Sequence, residues 1–201
     1  MSPEKYDITN VLFAGVGGQG ILTSGRLLAL AALDAGLDVK MSEVHGMAQR
    51  GGNVDTHVRI GPEVPSSLIP KGGAHYLVAF EKLEALRNLD YLRGDGIVYI
   101  NKLEIPPLAT SLKEGASYIK DLDAVLKAKA PRVVMVDGTE IARSLGDPRM
   151  VNVILIGALS PHLKMLTPAN WEAAVRLRFK AKVQDAVLAG FRKGVEYAGV
   201  H

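Results

Sequence analysis

The chain has no cysteine at any of its 201 positions. Disulfide bonds, a thiol nucleophile and a zinc ion held by thiolates are therefore excluded for this chain. Iron–sulfur clusters ligated from this chain are excluded as well, because cysteine thiolates hold such clusters. Any electron transfer in which the protein takes part must therefore depend on groups carried by another chain.

Long apolar runs are also missing. The most apolar stretch, VNVILIGALSP (151–161), is shorter than the ~20 residues that a membrane-spanning helix needs. No cleavable signal is recognisable before the first predicted strand. With 48% hydrophobic and 22% charged residues, the composition is that of an ordinary soluble globular protein. We therefore expect a cytoplasmic protein that forms one domain over residues 1–201 and has no membrane partner.

Charge of one sign is not in large excess, since the formal net charge is +3. The cations are dispersed except in RLRFKAK (176–182), where they alternate with apolar residues as on the solvated face of a helix. Phe179 is the one aromatic residue in the run, too few for the interleaved aromatics of a base-stacking surface. The run therefore predicts a solvated helix face, and nucleic acid is not an expected partner.

The pattern of apolar residues predicts a β-α-β unit at the start of the chain. A β-rich run (8–16) leads into a stretch with helical spacing that ends at Gly36, and a second strand follows (37–44). The crossover is expected to be right-handed. Further strands are predicted at 53–60, 74–80, 96–101 and 132–138, with helical segments between them and a helical C-terminal region. This alternation predicts an α/β, three-layer, Rossmann-like domain with a mostly parallel sheet.

Three side chains carry local expectations. The segment beginning at Asn53 alternates apolar and polar residues, which predicts a half-buried strand with His57 on its polar face. Thr139 is placed to cap a helix. Trp171, near the start of another helix, is expected to lie in the core rather than at an interface.

A glycine-rich turn, FAGVGGQGIL (13–22), lies between the first strand and the first helix. Gly15, Gly17 and Gly20 have the G-x-G-x-x-G spacing that brings a phosphate to a helix N-terminus. Glu43, at the end of the second strand, is the candidate acid for a ribose hydroxyl. One interpretation of this spacing is a free-standing oxidoreductase that binds NAD(P) or FAD. In the alternative, the glycines only allow another backbone to approach closely.

A second polar loop, SEVHGMAQRGGNV (42–54), follows the second strand. It should lie beside the glycine turn, because loops at the carboxyl ends of parallel strands border the ligand crevice. His45 is a possible acid or base, although a lone loop histidine is more often a surface hydrogen-bonding group. His45 and His57 lack the spacing and the further ligands of a metal site.

Nearly the whole chain resembles the γ-type domain of the 2-oxoacid:ferredoxin oxidoreductases. The resemblance rests on VLFAGVGGQGILTSGRLL (11–28), SEVHGMAQRGG (42–52), SSLIPKGGAHYLVAFEKLEALR (66–87) and NVILIGAL (152–159). In SEVHGMAQRGG, the residues that precede the arginine and the two glycines are most similar to those of the indolepyruvate-type members. They differ from the pyruvate and α-ketoglutarate versions.

The resemblance implies a complex that oxidatively decarboxylates a 2-oxoacid with thiamine diphosphate and transfers the acyl group to coenzyme A. Electrons then pass through iron–sulfur clusters to ferredoxin. In this family the thiamine and cluster sites belong to other domains, which the indolepyruvate-type members carry in the large (alpha) subunit. This chain is therefore expected to bind none of these groups by itself and to be inactive alone. No catalytic residue is assigned to it.

The resemblance also places the two loops of the family on particular residues, which we take as cofactor-binding or interface loops. They are Gly15, Gly17, Gly18, Gln19, Gly20, Glu43, His45, Gly46, Gln49, Arg50, Gly51 and Gly52.

Overall fold

The computed structural model describes residues 7–45, 52–105 and 119–200. Six strands form one sheet: β1 (Thr9–Val16), β2 (Asp38–His45), β3 (Asn53–Gly61), β4 (Ala74–Ala79), β5 (Leu92–Asn101) and β6 (Val133–Val136). The described part also contains the helices α1 (Ile21–Asp34), α2 (Lys82–Arg87), α3 (Leu122–Lys129), α4 (Gly138–Ser144), α5 (Val151–Leu159), α6 (Pro168–Arg178) and α7 (Ala181–Val200).

The strand order in the sheet is β2-β3-β1-β4-β5-β6. β1, β4, β5 and β6 pair in parallel, and β3 is antiparallel to both of its neighbours, β1 and β2. Five strands therefore run in one direction and only β3 opposes them. The predicted α/β fold with a mostly parallel sheet is confirmed.

The first β-α-β unit differs from the prediction in one respect. β2 runs in the direction expected after β1 and α1, but β3 lies between the two strands. β3 pairs along its whole length with both neighbours, from Thr9 opposite Ile60 on one side to Asp38 opposite Gly61 on the other. The end of β2 is therefore two strand spacings, about 10 Å, from the end of β1.

Helices cover both faces of the sheet, which confirms the three predicted layers. On one face, α1 and α4 to α7 pack on alternate strand residues such as Phe13, Val58 and Tyr99. On the other face, α2 and α3 pack on the intervening residues, among them Leu12 and Val98. Within the described ranges no helix combines the length and the apolar character that crossing a membrane requires.

The prediction that β3 is half-buried is wrong, because its polar face is covered too. His57 is buried, and its Nδ1 accepts a hydrogen bond from the Ile69 backbone N–H at 3.1 Å. Asp55 is also buried, and its Oδ1 accepts a hydrogen bond from Asn88 Nδ2 at 3.3 Å. The segment around Ile69 and Asn88, which follows α2, cover the face of β3 that the alternation of residue types predicts to be exposed to solvent.

Two further local predictions need correction and one is confirmed. The cationic run 176–182 does not lie on one helix, because α6 ends at Arg178 and α7 begins at Ala181. Thr139 does not cap α4, because the N-cap residue of this helix is Asp137. The hydroxyl and the backbone N–H of Thr139 form hydrogen bonds with Asn101 instead. Trp171 is buried in the core, as predicted.

Candidate functional site

The carboxyl ends of the parallel strands border a cleft. Ligands of open α/β sheets bind at this edge, because the loops that follow the strands converge there. The cleft has a volume of about 440 Å³. It is lined by residues from the glycine turn, from the ends of β4 and β5, and from the segment that leads into α5: Gly18, Gln19, Gly20, Phe80, Asn101, Leu103, Thr139, Pro148, Arg149, Val151 and Asn152.

The glycine turn is closed by its own glutamine. Gln19 Oε1 accepts a hydrogen bond from the Val16 backbone N–H at 2.7 Å, and the Gln19 N–H donates to the Val16 carbonyl at 3.2 Å. A Cβ at Gly15 would lie 2.6 Å from Gln19 Oε1 and 2.9 Å from Phe80 Cβ. Glycine at this position therefore allows the glutamine to fold back under the turn.

The turn also sets the start of α1. Gly20 is the N-cap residue and has a φ of 85°, a left-handed conformation that glycine adopts without strain. A Cβ at Gly20 would lie 2.7 Å from Asn152 Nδ2. The Ser24 hydroxyl donates a hydrogen bond to the Asn152 carbonyl at 3.1 Å. The first turn of α5 is thereby held against the first turn of α1, and the two together form one wall of the cleft.

The second predicted loop ends on the same rim. The Gly17 backbone N–H donates to the Gly52 carbonyl at 3.1 Å, so the two loops are joined at this point. Glu43 lies in β2. The other predicted residues of this loop, Gly46, Gln49, Arg50 and Gly51, lie outside the described residues, as does the side chain of His45.

The position of Glu43 does not favour a dinucleotide-binding oxidoreductase. In that class the acidic residue comes from the strand beside the glycine turn and bonds to the ribose. Here Glu43 is opposite Thr56 in β3, and Thr56 is opposite Phe13 in β1. One complete strand therefore separates the acid from the strand that carries the glycines.

Asn101, which was not among the predicted site residues, forms the floor of the cleft. It is fully buried. Its Nδ2 donates to the Phe80 carbonyl at 3.2 Å and to Thr139 Oγ1 at 3.0 Å, and its Oδ1 accepts from the Thr139 N–H at 3.2 Å. One side chain thus connects the ends of β4 and β5 to α4. The only signal in the sequence is a polar residue that ends the apolar run GIVYIN (96–101).

Arg149 is the one cation among the described residues that line the cleft. Its Nε and Nη2 donate to Asp147 Oδ1 and Oδ2 at 2.9 and 2.8 Å. These hydrogen bonds, together with one from the Arg149 backbone N–H, lower the pKa of Asp147 to about 2. The Arg149 side chain is 89% exposed, and its remaining N–H donors are available to an anionic group at the mouth of the cleft.

Buried acidic side chains lie on the opposite face of the sheet. Glu84 is 1% exposed, its Oε1 forms an ion pair with Arg87, and its Oε2 has no hydrogen-bonding partner. Burial raises the pKa of Glu84. The Arg87 guanidinium opposes this effect, and the nearby carboxylates of Glu81 and Asp55 add to it. Burial also raises the pKa of Asp55 to about 6, against the opposing effect of the hydrogen bond from Asn88.

The raised pKa of Asp55 predicts a specific pH dependence of stability. Because the folded pKa is above the unfolded value of 3.8, folding favours the protonated form. The stability that Asp55 contributes is therefore fully present below about pH 4 and is lost as the pH rises through about 6. Asp55→Asn keeps an oxygen to accept the Asn88 hydrogen bond, so it should flatten this dependence. At pH 7.5 the variant should be more stable than the parent by about 1 kcal/mol, after allowance for solvent screening.

Urea unfolding between pH 4.5 and 7.5 measures this effect. Asp185→Asn, on an exposed position of α7, is the matched control and should leave the pH dependence unchanged. If the free energy of unfolding changes equally with pH in the parent and in the Asp55→Asn variant, the buried carboxyl does not titrate as described.

The described residues contain no group of three or more His, Asp or Glu side chains that could hold a metal ion. His57, the most deeply buried histidine, uses Nδ1 to bond the Ile69 backbone and packs edge-on against Tyr91. Burial lowers its pKa. We therefore interpret His57 as a neutral histidine with a structural role.

The similarity to known proteins defines the class. The family described as pyruvate ferredoxin/flavodoxin oxidoreductase matches residues 10–197, and the chain belongs to this family. The indolepyruvate oxidoreductase subunit IorB of Archaeoglobus fulgidus is 39% identical over 94% of each chain. The predicted membership of the 2-oxoacid:ferredoxin oxidoreductase family is therefore confirmed.

Solved structures show the same fold. The γ subunit of a keto/oxoacid ferredoxin oxidoreductase from Geobacter sulfurreducens superimposes with a TM-score of 0.73 at 18% identity, over 96% of this chain and 99% of that one. The 2-oxoglutarate:ferredoxin oxidoreductase of Magnetococcus marinus has a TM-score of 0.73 at 20% identity, over 98% of this chain and 32% of that one. The fold thus occurs both as a separate subunit and within a longer chain.

Proposed function

We propose that the chain is the small subunit of an indolepyruvate-type 2-oxoacid:ferredoxin oxidoreductase. The complex would oxidatively decarboxylate an aryl pyruvate to the acyl-coenzyme A and pass the electrons to ferredoxin. The observation that carries the proposal is the 39% identity to a subunit named for indolepyruvate, with 94% of each chain covered. The glycine turn and the SEVHGMAQRGG segment, on which the resemblance rests, support the same class.

The complex requires groups that this chain is not suited to hold. It has no cysteine for an iron–sulfur cluster, and its described residues include no metal-binding group of carboxylates and histidines. We therefore assign thiamine diphosphate and the clusters to a large partner subunit. The contribution of this chain would be to complete the complex and to line part of a site with its two loops. We expect the complex to be cytoplasmic.

The cleft suits an anionic group from coenzyme A or from the partner. Arg149 presents an exposed guanidinium at the mouth, and the glycine turn places the N-terminus of α1 beside the cleft. Both features favour negative charge. The loop that contains Arg50 begins and ends on the same rim, so this arginine is a further candidate for the anion.

Reconstitution from separate subunits tests the function. The large subunit that co-purifies with the chain is expected to reduce a viologen dye slowly by itself. Adding this chain should restore reduction that depends on indolepyruvate, thiamine diphosphate and coenzyme A. Comparing kcat/KM for indolepyruvate, pyruvate and 2-oxoglutarate then tests the substrate class. Full activity of the large subunit alone would disprove a required role for this chain.

Substitution of Arg50 tests its part in the second loop. Arg50→Lys keeps the positive charge but loses the planar fork that bonds a carboxylate or phosphate with two hydrogen bonds. The variant should fold normally and bind coenzyme A or the large subunit about tenfold more weakly, which corresponds to about 1.4 kcal/mol. Titration calorimetry with each ligand measures this. Unchanged affinity and turnover in Arg50→Ala would reduce the residue to a solvated loop charge.

A further inference from the structure

The junction between α6 and α7 forms a cationic elbow, which we define as residues 176–182. It carries Arg176, Arg178, Lys180 and Lys182, all of them exposed, and no acidic residue. Gln184 Nε2 donates to the Arg176 and Phe179 carbonyls at 3.0 and 2.9 Å. These bonds satisfy the end of α6, so the cations are held at a fixed bend.

An apolar cavity opens beside this elbow. Its volume is about 310 Å³, and its apolar lining comes from α5, α7 and the residues before them: Met150, Val153, Phe179, Val183 and Val187. Arg149 and Arg178 lie among its lining residues as well, together with Asp147, which is ion-paired with Arg149. The cavity therefore combines a mainly apolar lining with charged side chains.

Exposed apolar side chains lie within the elbow and directly after it. Leu177, between two of the arginines, is 75% exposed, and Val183 is 36% exposed. Leu177 has the largest exposed fraction among the large hydrophobic side chains of the described residues. Apolar groups surrounded by cations are typical of a binding surface for a segment that is both apolar and acidic.

The cavity adjoins the candidate site. Arg149 and Asn152 line both this cavity and the cleft beside the glycine turn. A protein segment seated at the elbow would therefore end next to the cleft. A partner bound at the elbow would therefore lie beside the candidate site.

We infer that the elbow and its cavity are the docking surface for an acidic, apolar segment of the large partner subunit. The inference rests on the proposed function, which supplies the partner. The apolar cavity takes hydrophobic side chains of the segment, and its carboxylates face Arg178, Lys180 and Lys182. Nucleic acid is the less favoured occupant, because Phe179 is the one aromatic residue of the elbow and the Arg178 guanidinium already lies over its ring, 5.5 Å from the centroid.

A pair of charge reversals tests the inference. Binding of the purified chain to the large subunit is measured by biolayer interferometry at low and high salt. The double variant K180E/K182E should bind at least tenfold more weakly at low salt, mainly through slower association, and should lose most of the salt dependence. Leu177→Ser should weaken binding without changing the salt dependence.

The matched control is K127E/K129E, which reverses two exposed lysines with the same spacing at the end of α3, on the opposite face of the sheet. It should bind within twofold of the parent. Equal binding by K180E/K182E and the parent, or equal loss in the control, would overturn the docking surface while leaving the proposed function intact. Elbow-dependent binding of a short DNA duplex in place of the subunit would also overturn it. If the parent chain itself fails to bind the large subunit, the proposed function fails.

Discussion

Gly194→Ala is expected to destabilise the fold severely. α5 and α7 cross so closely at this glycine that a Cβ would lie 2.0 Å from the Ile154 carbonyl oxygen and 2.8 Å from the Ala158 nitrogen. Both are backbone atoms of a helix whose residues from Val153 to Leu159 are all buried. Neither can move aside without displacing α5. We expect a loss of at least about 3 kcal/mol, although alanine has the higher helix propensity by about 1 kcal/mol.

Gly190→Ala, one turn earlier on the same helix, is the control. A Cβ there would lie 3.2 Å from Val153 Cγ2 and 3.3 Å from Met150 Sδ. The flexible methionine can yield by a few tenths of an ångström. Urea denaturation should therefore place this variant within about 1 kcal/mol of the parent. If both substitutions lower the unfolding midpoint equally, the close crossing is not what requires glycine at 194.

Asn101→Ala should have the second largest effect. The substitution leaves the Phe80 carbonyl and the Thr139 N–H without the partners that now satisfy them. Because Asn101 is fully buried, water does not readily replace these bonds. Each unsatisfied group costs about 1 to 3 kcal/mol, and we expect a total loss of about 3 kcal/mol. In the complex, the loss of the cleft floor should also lower turnover.

Thr139→Val distinguishes the asparagine network from a general effect of substitution near the cleft. It removes one acceptor of the Asn101 amide but keeps the backbone N–H that bonds Asn101 Oδ1. The expected loss is about 1 kcal/mol. In thermal unfolding, Asn101→Ala should therefore have a lower melting temperature than Thr139→Val. A melting temperature for Asn101→Ala equal to that of the parent would show that its hydrogen bonds do not contribute.

The apolar patterns alone allow most of the fold to be predicted. The continuous runs at 74–80 and 96–101 indicate strands buried on both faces, and the structure has β4 and β5 there. The alternation at 53–60 predicted that the polar face of β3 is exposed, whereas Asp55 and His57 on this face are buried. Alternation reports only the types of side chain, whereas burial depends on what packs over them. Here Asn88 and Ile69, distant in sequence, cover the polar face.

The candidate site could be predicted only where its residues are contiguous. The glycine turn and the segment that ends at Gly52 were identified as motifs. Asn101, Arg149 and Asn152 were not, because no local pattern distinguishes them from other polar residues. They line the cleft only because the ends of β4 and β5 and the start of α5 meet beside the glycine turn.

By itself, the sequence determined the family, the α/β class and the exclusion of cysteine-bound clusters from this chain. Short-range spacing and residue type carry that information. Only the tertiary structure decided that β3 lies between β1 and β2, that Glu43 is therefore one strand away from the glycine turn, and that the run 176–182 bends around an apolar cavity. Strand order and the packing of helix ends depend on contacts between residues far apart in the chain, and local sequence patterns do not specify them.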